Sequence, residues 1–301
     1  MNDPLVSIVT PSYNQAAYLE ETIRSVLEQE YEPIEYIVVD DGSSDGSVQI
    51  AERYAGRLTL LSQENTGQAA ALNRGFREAQ GELLGFLNSD DTLLPGAVEA
   101  MVEALADDAS LLLVYGDALY TDERSRQTGA LEAREFDVAE MVRRCDNHVV
   151  QPSTLWRREA WERFGPFDER AYYFFDFEFF LRFPPERVRR LHRPLSTYRV
   201  HAQAKSTGVD GSRLARDHVR MAESFVAANA VPKAAVRQGR SSGYLLGAEF
   251  AYEALDLRTA RRYVGRGLRL YPQHASLRWL SLAAKTLLPT PVVRRLRSRR
   301  R

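Results

Sequence analysis

Over the first hundred residues, short apolar runs alternate with helical patterns, and this limits the fold more than any other feature of the chain. "LVSIVT" reads as a strand, followed by a helical pattern from about Ala16 to Gln29. "IEYIVVD" is a second strand, with a helix from Ser44 to about Tyr54 behind a Ser/Asp cap. "RLTLLS" is a third strand, followed by a helix from Gly67 to about Ala79, and "ELLGFL" is a fourth. A further helix runs from about Gly96 to Leu105. Strands spaced by helices of this length form βαβ units in a mostly parallel sheet. Runs this continuously apolar suit a sheet covered on both faces.

The middle region is less regular. "LLLVYGDALY" reads as a strand and "STLWRREAWERFG" as a strand leading into a short helix. "YYFFDFEFFLRF" reads as a buried helix, and "VRRLHRPLSTYRV" as a closing hairpin. Beyond about Ser206 the pattern is helical throughout. Within it, "GYLLGAEFAYEALDLRTARRYVGRGLRLYPQ" resembles a single tetratricopeptide-type hairpin, with small residues at packing positions and Pro272 after its second helix.

In an open α/β sheet, ligands bind beyond the carboxyl ends of the strands. This chain's unusual polar residues collect there. The first strand runs into Thr10-Pro11-Ser12-Tyr13-Asn14, the second into Asp40-Asp41-Gly42-Ser43-Ser44-Asp45, and the fourth into Asn88-Ser89-Asp90-Asp91. Each loop alone has a plain explanation as a turn or helix cap, since Asp, Gly and Ser favour both. A parallel sheet would bring all three to one crevice, and turn chemistry does not require that convergence.

Several classes of function are excluded. Neither G-x-G-x-x-G after the first strand nor G-x-x-x-x-G-K-[ST] is present, which argues against a nicotinamide enzyme or a P-loop kinase. "VVDDGS" lacks the second Asp that a haloacid-dehalogenase phosphatase needs two positions after its first. Cys145 is the single cysteine, so the chain has no internal disulfide and no cysteine-based zinc site. The net charge of −1 gives no general attraction to nucleic acid. "MNDPLVSIVTPSYN" lacks the form of a secretory signal, and no apolar run reaches the roughly 18 residues of a spanning helix. A cytoplasmic protein, soluble or peripheral on the membrane, is expected. Adjacent carboxylates at Asp90 and Asp91 suit a hard divalent cation, which is typically bound by one or two carboxylates plus substrate phosphate oxygens.

"VSIVTPSYNQAAYLEETIRSVLEQ", "IEYIVVDDGSSDGS", "ENTGQAAALNRGF" and "GELLGFLNSDD", in this order, resemble the family-2 inverting glycosyltransferases of the GT-A fold. The resemblance covers about residues 5–205. It implies a Rossmann-like, mostly parallel sheet flanked by helices at 1–205, with a donor half at about 1–105 and an acceptor half at about 106–205. A helical extension would occupy 206–301. Carried onto this chain, the resemblance puts Pro11, Tyr13, Asn14, Asp40, Asp41, Gly67, Asn88 and Ser89 around a nucleotide-sugar. Asp90, Asp91 and His201 would surround Mn²⁺ or Mg²⁺, with Asn88 at the family's first acidic position. Gln151, Trp156 and Asp168 would lie on the acceptor side.

Asp176, in the acidic-aromatic segment, matches the family's catalytic base. At 100° per residue, Asp176 and Glu178 point about 160° apart on a helix, so they cannot serve one site together. Glu178 is expected to pair with Arg182 at i+4. The aromatic setting of Asp176 should raise its pKa by desolvation and make it a better base.

The activity implied is transfer of a sugar, with inversion, from a UDP-sugar, or a dTDP- or GDP-sugar, to a glycan or lipid-linked acceptor in polysaccharide biosynthesis. The alternative is a catalytically silent nucleotide-sugar-binding scaffold, which Asn88 favours. Near the C-terminus, Trp279, Leu287, Leu288, Val292 and Val293 accompany the cluster "RRLRSRRR", a composition suited to an anionic membrane surface.

Overall fold

A computed structural model of the chain describes residues 3–202, 204, 211–225 and 231–298. It divides into two compact units, Met1–Phe136 with His148–Thr207, and Asp137–Asn147 with Gly208–Arg301. The boundary expected at 205/206 lies outside the described residues.

In the first unit, β1 (Val6–Ser12), β2 (Ile34–Asp40), β3 (Thr59–Ser62) and β4 (Leu83–Phe86) run parallel in the order β3-β2-β1-β4. The connecting helices are α1 (Leu19–Leu27), α2 (Ser47–Glu52) and α3 (Gln68–Glu78), with α4 (Ala97–Asp107) after β4. The sheet continues antiparallel through β7 (Thr154–Arg157), which leads into α6 (Arg158–Phe164), to β5 (Leu113–Thr121). The far part of β5 pairs with β6 (Gln127–Leu131), a strand the apolar pattern does not reveal because Leu131 is its one large apolar residue. Apolar clusters on the two faces account for the continuously apolar strands: Val9, Val39, Leu84 and Phe86 belong to one, and Ile8, Val38 and Leu83 to the other.

The segment expected as a hairpin is one strand, β8 (Val188–Arg199), parallel to β5. Its register advances from Tyr115↔Arg190 to Asp117↔Pro194, so β8 takes up four residues while β5 takes up two. The "HRP" sequence therefore marks a bulge, which accommodates a proline that cannot donate to the ladder.

The second unit holds α5 (Val138–Arg144), α8 (Gly211–Ser224), α9 (Lys233–Glu253), α10 (Leu257–Leu270), α11 (Leu277–Lys285) and α12 (Thr290–Ser298). Helices α9 and α10 form the hairpin anticipated from small residues. Ala248, Ala251, Ala260, Tyr263 and Val264 share its core, and the Asp256 side chain accepts from the Thr259 N–H at the start of α10. Helix α5, which sequence order would place in the first domain, belongs here: Ser242 Oγ donates to the Arg143 carbonyl.

Candidate active site

Parallel pairing brings the carboxyl ends of β1, β2 and β4 to one edge, with Ser12 in register with Asp40. Pro11 is buried in β1, whereas Tyr13 stands out at 48% exposure. Asp40 is 3% exposed, and its Oδ2 accepts from the N–H groups of Gly42 and Ser43 at 3.1 and 3.0 Å. Gly42 makes this turn possible with φ +82°, where a Cβ would come 3.0 Å from the Asn65 nitrogen. Among the described residues, Asp40 Oδ1 and Ser12 Oγ are buried polar atoms with no hydrogen-bond partner.

Asp41 and Asn14 are placed differently from Asp40. Asp41 Oδ1 accepts from the Thr66 N–H at 2.9 Å and Gln63 Nε2 at 2.8 Å, and its Oδ2 from the Gly67 N–H at 2.8 Å. Gly67, at φ +101°, leads into α3. Asp41 thus holds the loop beside the crevice. Asn14, at φ 52°, accepts from the Ser44 N–H through Oδ1 and donates its own N–H to Ser43 Oγ, tying the first loop to the second.

After β4, the Asp91 N–H donates to the Asn88 carbonyl and closes a tight turn. Its two carboxylates go separate ways. Asp90 Oδ2 lies 3.1 Å from His201 Nε2. Asp91, 2% exposed, accepts from the Arg199 N–H at 2.9 Å and from Asn88 Nδ2 at 3.2 Å. Burial, and secondarily the charge of Asp90, raises its pKa well above the usual carboxylate range. Asp91, expected beside Asp90 as a metal ligand, is instead an internal hydrogen-bonding residue. Asn88 also donates to Gln151 Oε1 at 2.9 Å and accepts from Gln68 Nε2 at 2.7 Å, while Gln151 Nε2 donates to the Phe86 carbonyl. Ser89 is buried within the same turn.

The Asp90–His201 pair is held by Arg199, which the sequence reading passed over. Its side chain is 1% exposed. Nε donates to the Asp90 carbonyl, Nη1 to the Asp122 carbonyl and Ser125 Oγ, and Nη2 to Glu21 Oε2 at 2.7 Å. The Tyr18 ring lies 4.5 Å from His201 and 4.8 Å from the Arg199 guanidinium carbon. The only sequence signal was the position of Arg199, two residues before His201 at a strand end.

Among the described residues, no group of three or more His, Cys, Asp or Glu side chains is arranged to hold a metal ion. The spacing of Asp90 Oδ2 and His201 Nε2, at hydrogen-bond distance, is nonetheless compatible with two donors to one divalent cation. Adjacent donors around an octahedral ion at about 2.1 Å lie about 3 Å apart, close to the separation of these two atoms.

Helix α7 (Phe175–Phe180) carries Asp176 in its first turn, half-buried, whereas Glu178 is 8% exposed. Phe175 packs 6.2 Å from Phe86 at the end of β4 and 5.1 Å from Phe167, which brings the start of α7 to the same sheet edge. Arg182, expected to pair with Glu178, donates to the carbonyls of Phe164 and Pro166. One acceptor-side expectation also changes. Trp156 is fully buried in β7 against Phe76, Phe86 and Phe179, so it is a core residue and cannot meet an acceptor. Asp168 forms a fork with Arg170, accepting from Nε and Nη2.

This parallel half-sheet, with polar loops and two acidic elements on its carboxyl edge, defines a GT-A architecture. A sequence profile described as Glycosyl transferase family 2 matches residues 7–165, and the chain belongs to that family. An uncharacterized glycosyltransferase of Rickettsia prowazekii is 31% identical over 215 residues, 66% of this chain and 65% of that protein. EpsJ of Bacillus subtilis, also described as an uncharacterized glycosyltransferase, is 35% identical over 215 residues, 65% of this chain and 61% of that protein. The chain thus matches just under two thirds of the length of these two relatives. Among solved structures, S. aureus TarS 1-349 in complex with UDP-GlcNAc aligns with a TM-score of 0.65 at 17% identity, covering 97% of this chain and 87% of that one. Mannosyltransferase PcManGT from Pyrobaculum calidifontis, in complex with GDP-Man and Mn²⁺, aligns with a TM-score of 0.58 at 21% identity, covering 94% and 79%. At these identities the likeness speaks for the fold alone.

Proposed function

We propose that the chain transfers a sugar from a nucleoside-diphosphate donor to a hydroxyl acceptor, with inversion at the anomeric carbon. One observation carries this reading. Two buried polar atoms without partners, Asp40 Oδ1 and Ser12 Oγ, lie on paired residues at the same sheet edge as the Asp90–His201 pair. Buried groups of this kind are costly unless a ligand completes them. A carboxylate oxygen at the end of β2 suits an N–H of a nucleobase, and exposed Tyr13 offers a ring for stacking. Asp90 and His201 would hold a divalent cation, Mn²⁺ or Mg²⁺, which when bound supplies positive charge to the diphosphate leaving group.

Asp176 takes the proton from the acceptor hydroxyl. The acceptor oxygen then forms a bond to the anomeric carbon, and the bond from that carbon to the diphosphate oxygen breaks with its electron pair going to the diphosphate. UDP-GlcNAc and GDP-Man in the structural neighbours make UDP- and GDP-sugars the first donors to test, with dTDP-sugars next. A glycan or lipid-linked saccharide of polysaccharide biosynthesis is the proposed acceptor. Calorimetric titration of UDP, dTDP and GDP, with Mn²⁺ and again with EDTA, tests the donor site. Asp176→Asn is expected to lower transfer by at least about 100-fold, the scale of general-base catalysis, with donor affinity within a factor of two or so. Turnover at the wild-type rate would sink the base assignment.

A second reading, a silent nucleotide-sugar-binding scaffold, is favoured by Asn88, whose amide is engaged by Gln68, Asp91 and Gln151. Metal-dependent hydrolysis of the donor in the absence of acceptor would decide for the enzyme.

A further inference from the structure

Two independent features of the second unit coincide on α11 and α12. The first is exposed aliphatic surface. Of the seven large hydrophobic residues that are exposed among the described residues, five lie here: Leu277, Leu280, Leu287, Leu288 and Val292. Leu277 is 87% exposed and Leu287 67%. Leu277 and Leu280, three residues apart, share one face of α11, while Leu282 turns inward and packs in the helical core. Leu287 and Leu288 fill the connection to α12, where Val292 is exposed and Val293 fully buried. The surface is therefore not made by the apolar residues as a group, since Trp279 and Val293 belong to the core side.

The second feature is charge. From Leu277 to the last residue the sequence contains eight Lys and Arg and no Asp or Glu, although the whole chain is nearly neutral. Arg278 is bound in a fork by Glu249, so its charge is already matched. Arg294 is exposed, and Lys285 half-buried.

We infer that the α11–α12 surface docks on an anionic lipid bilayer. The combination discriminates between occupants. A nucleic acid would pair with the cations but leave the leucines in water. A second copy would bring two net positively charged faces together, which repel. A bilayer surface with anionic headgroups meets both needs, because aliphatic side chains enter the headgroup–acyl boundary while Arg and Lys stay with the phosphates. Among the described residues no helix is long and apolar enough to cross a membrane, so the attachment is interfacial. It does not depend on the identity of the sugar or on catalysis, and nucleotide titration reads the donor site separately.

The test is co-sedimentation of the full chain with vesicles of phosphatidylcholine alone and of phosphatidylcholine mixed with phosphatidylglycerol. Binding is expected to the mixed vesicles only. A chain carrying Leu277→Ser, Leu280→Ser, Leu287→Ser and Leu288→Ser should partition at least about tenfold less, since each lost contact removes buried apolar area. Lys285→Glu with Arg294→Glu should also weaken it about tenfold or more. Because the serine variant could disturb the helices, Leu287→Trp supplies a second reading: its emission, taken as the difference from the parent chain with Trp156, Trp161 and Trp279, shifts to the blue on adding mixed vesicles. The inference is overturned by equal binding to both vesicle types or to neither, or by partitioning that ignores the serine substitutions. A tryptophan emission that does not move would overturn it as well. So would a dimer in sedimentation velocity that the serine substitutions dissolve while vesicle binding is absent.

Discussion

Arg199 and Asp40 show how differently two buried charged side chains can be used. Arg199 has all three guanidinium nitrogens engaged, by the Asp90 carbonyl, the turn at Asp122–Ser125 and Glu21. Removing it leaves buried acceptors unmatched, which typically costs about 1–3 kcal/mol per group, and frees the backbone that presents Asp90. Arg199→Ala is expected to lower the melting temperature and to raise the donor KM more than it lowers kcat. Lysine cannot reproduce the fork and should restore only part of each. Asp40, by contrast, leaves one oxygen without a partner. In Asp40→Asn the amide oxygen can still accept from Gly42 and Ser43, so the NH₂ replaces the unpartnered acceptor. Its melting temperature should hold or rise, while calorimetry shows nucleotide binding weakened at least about tenfold, the worth of one charge-assisted hydrogen bond.

Among the elements, α9 depends on what its glycines allow. A Cβ on Gly239 would lie 2.1 Å from the Val142 carbonyl oxygen of α5, one on Gly243 2.2 Å from Ala222 of α8, and one on Gly247 2.8 Å from the Ala215 carbonyl. Three glycines at i, i+4 and i+8 thus form a stripe that lets neighbouring backbones approach. Gly239→Ala gains about 1 kcal/mol of helix propensity, but the neighbour it meets is backbone, which cannot rotate away. A net loss of up to about 2 kcal/mol is expected, from overpacking costs of about 1–3 kcal/mol less that gain, measurable by chemical unfolding of the two chains. In α7 the burial of Phe175, Phe177, Phe179 and Phe180 fixes the helix, and Asp176 is left on its half-exposed side.

For the whole molecule, stability should depend on pH through the helical unit. His218 Nδ1 lies 3.2 Å from the Leu214 carbonyl and its ring stacks 4.9 Å from Phe250. Burial lowers its pKa to about 4, against the opposing effect of the Leu214 carbonyl. The folded state keeps His218 neutral down to that pH, whereas the unfolded chain takes up a proton near pH 6.5. The unfolded state therefore binds more protons in this window, and stability falls as the pH is lowered through it. The loss at pH 4.5 relative to pH 7.5 is on the order of 2–3 kcal/mol. Unfolding titrations at the two pH values should show it, and His218→Phe should remove this share of the difference.

How much of this was legible in the sequence follows the range of each interaction. The order of strands and helices, the sheet edge that carries the polar loops and the resemblance to family 2 are written in periodicities and turn residues a few positions apart. The turn after Asp40 and the apolar runs of β1, β2 and β4 are read directly, whereas the left-handed conformation of Gly42 is seen only in the structure. Tertiary structure alone decided which carboxylate of the Asp90–Asp91 pair faces His201, because Asp91 is turned inward by an N–H that is 108 residues away. It likewise turned the expected hairpin into β8, made Trp156 a core residue and placed α5 in the helical unit. Arg199 became a fixed post only when Glu21, 178 residues distant, came within 2.7 Å. Local patterns specify elements because each residue tests its near neighbours, but the partners of a buried polar group depend on sheet register and packing, which no short stretch contains.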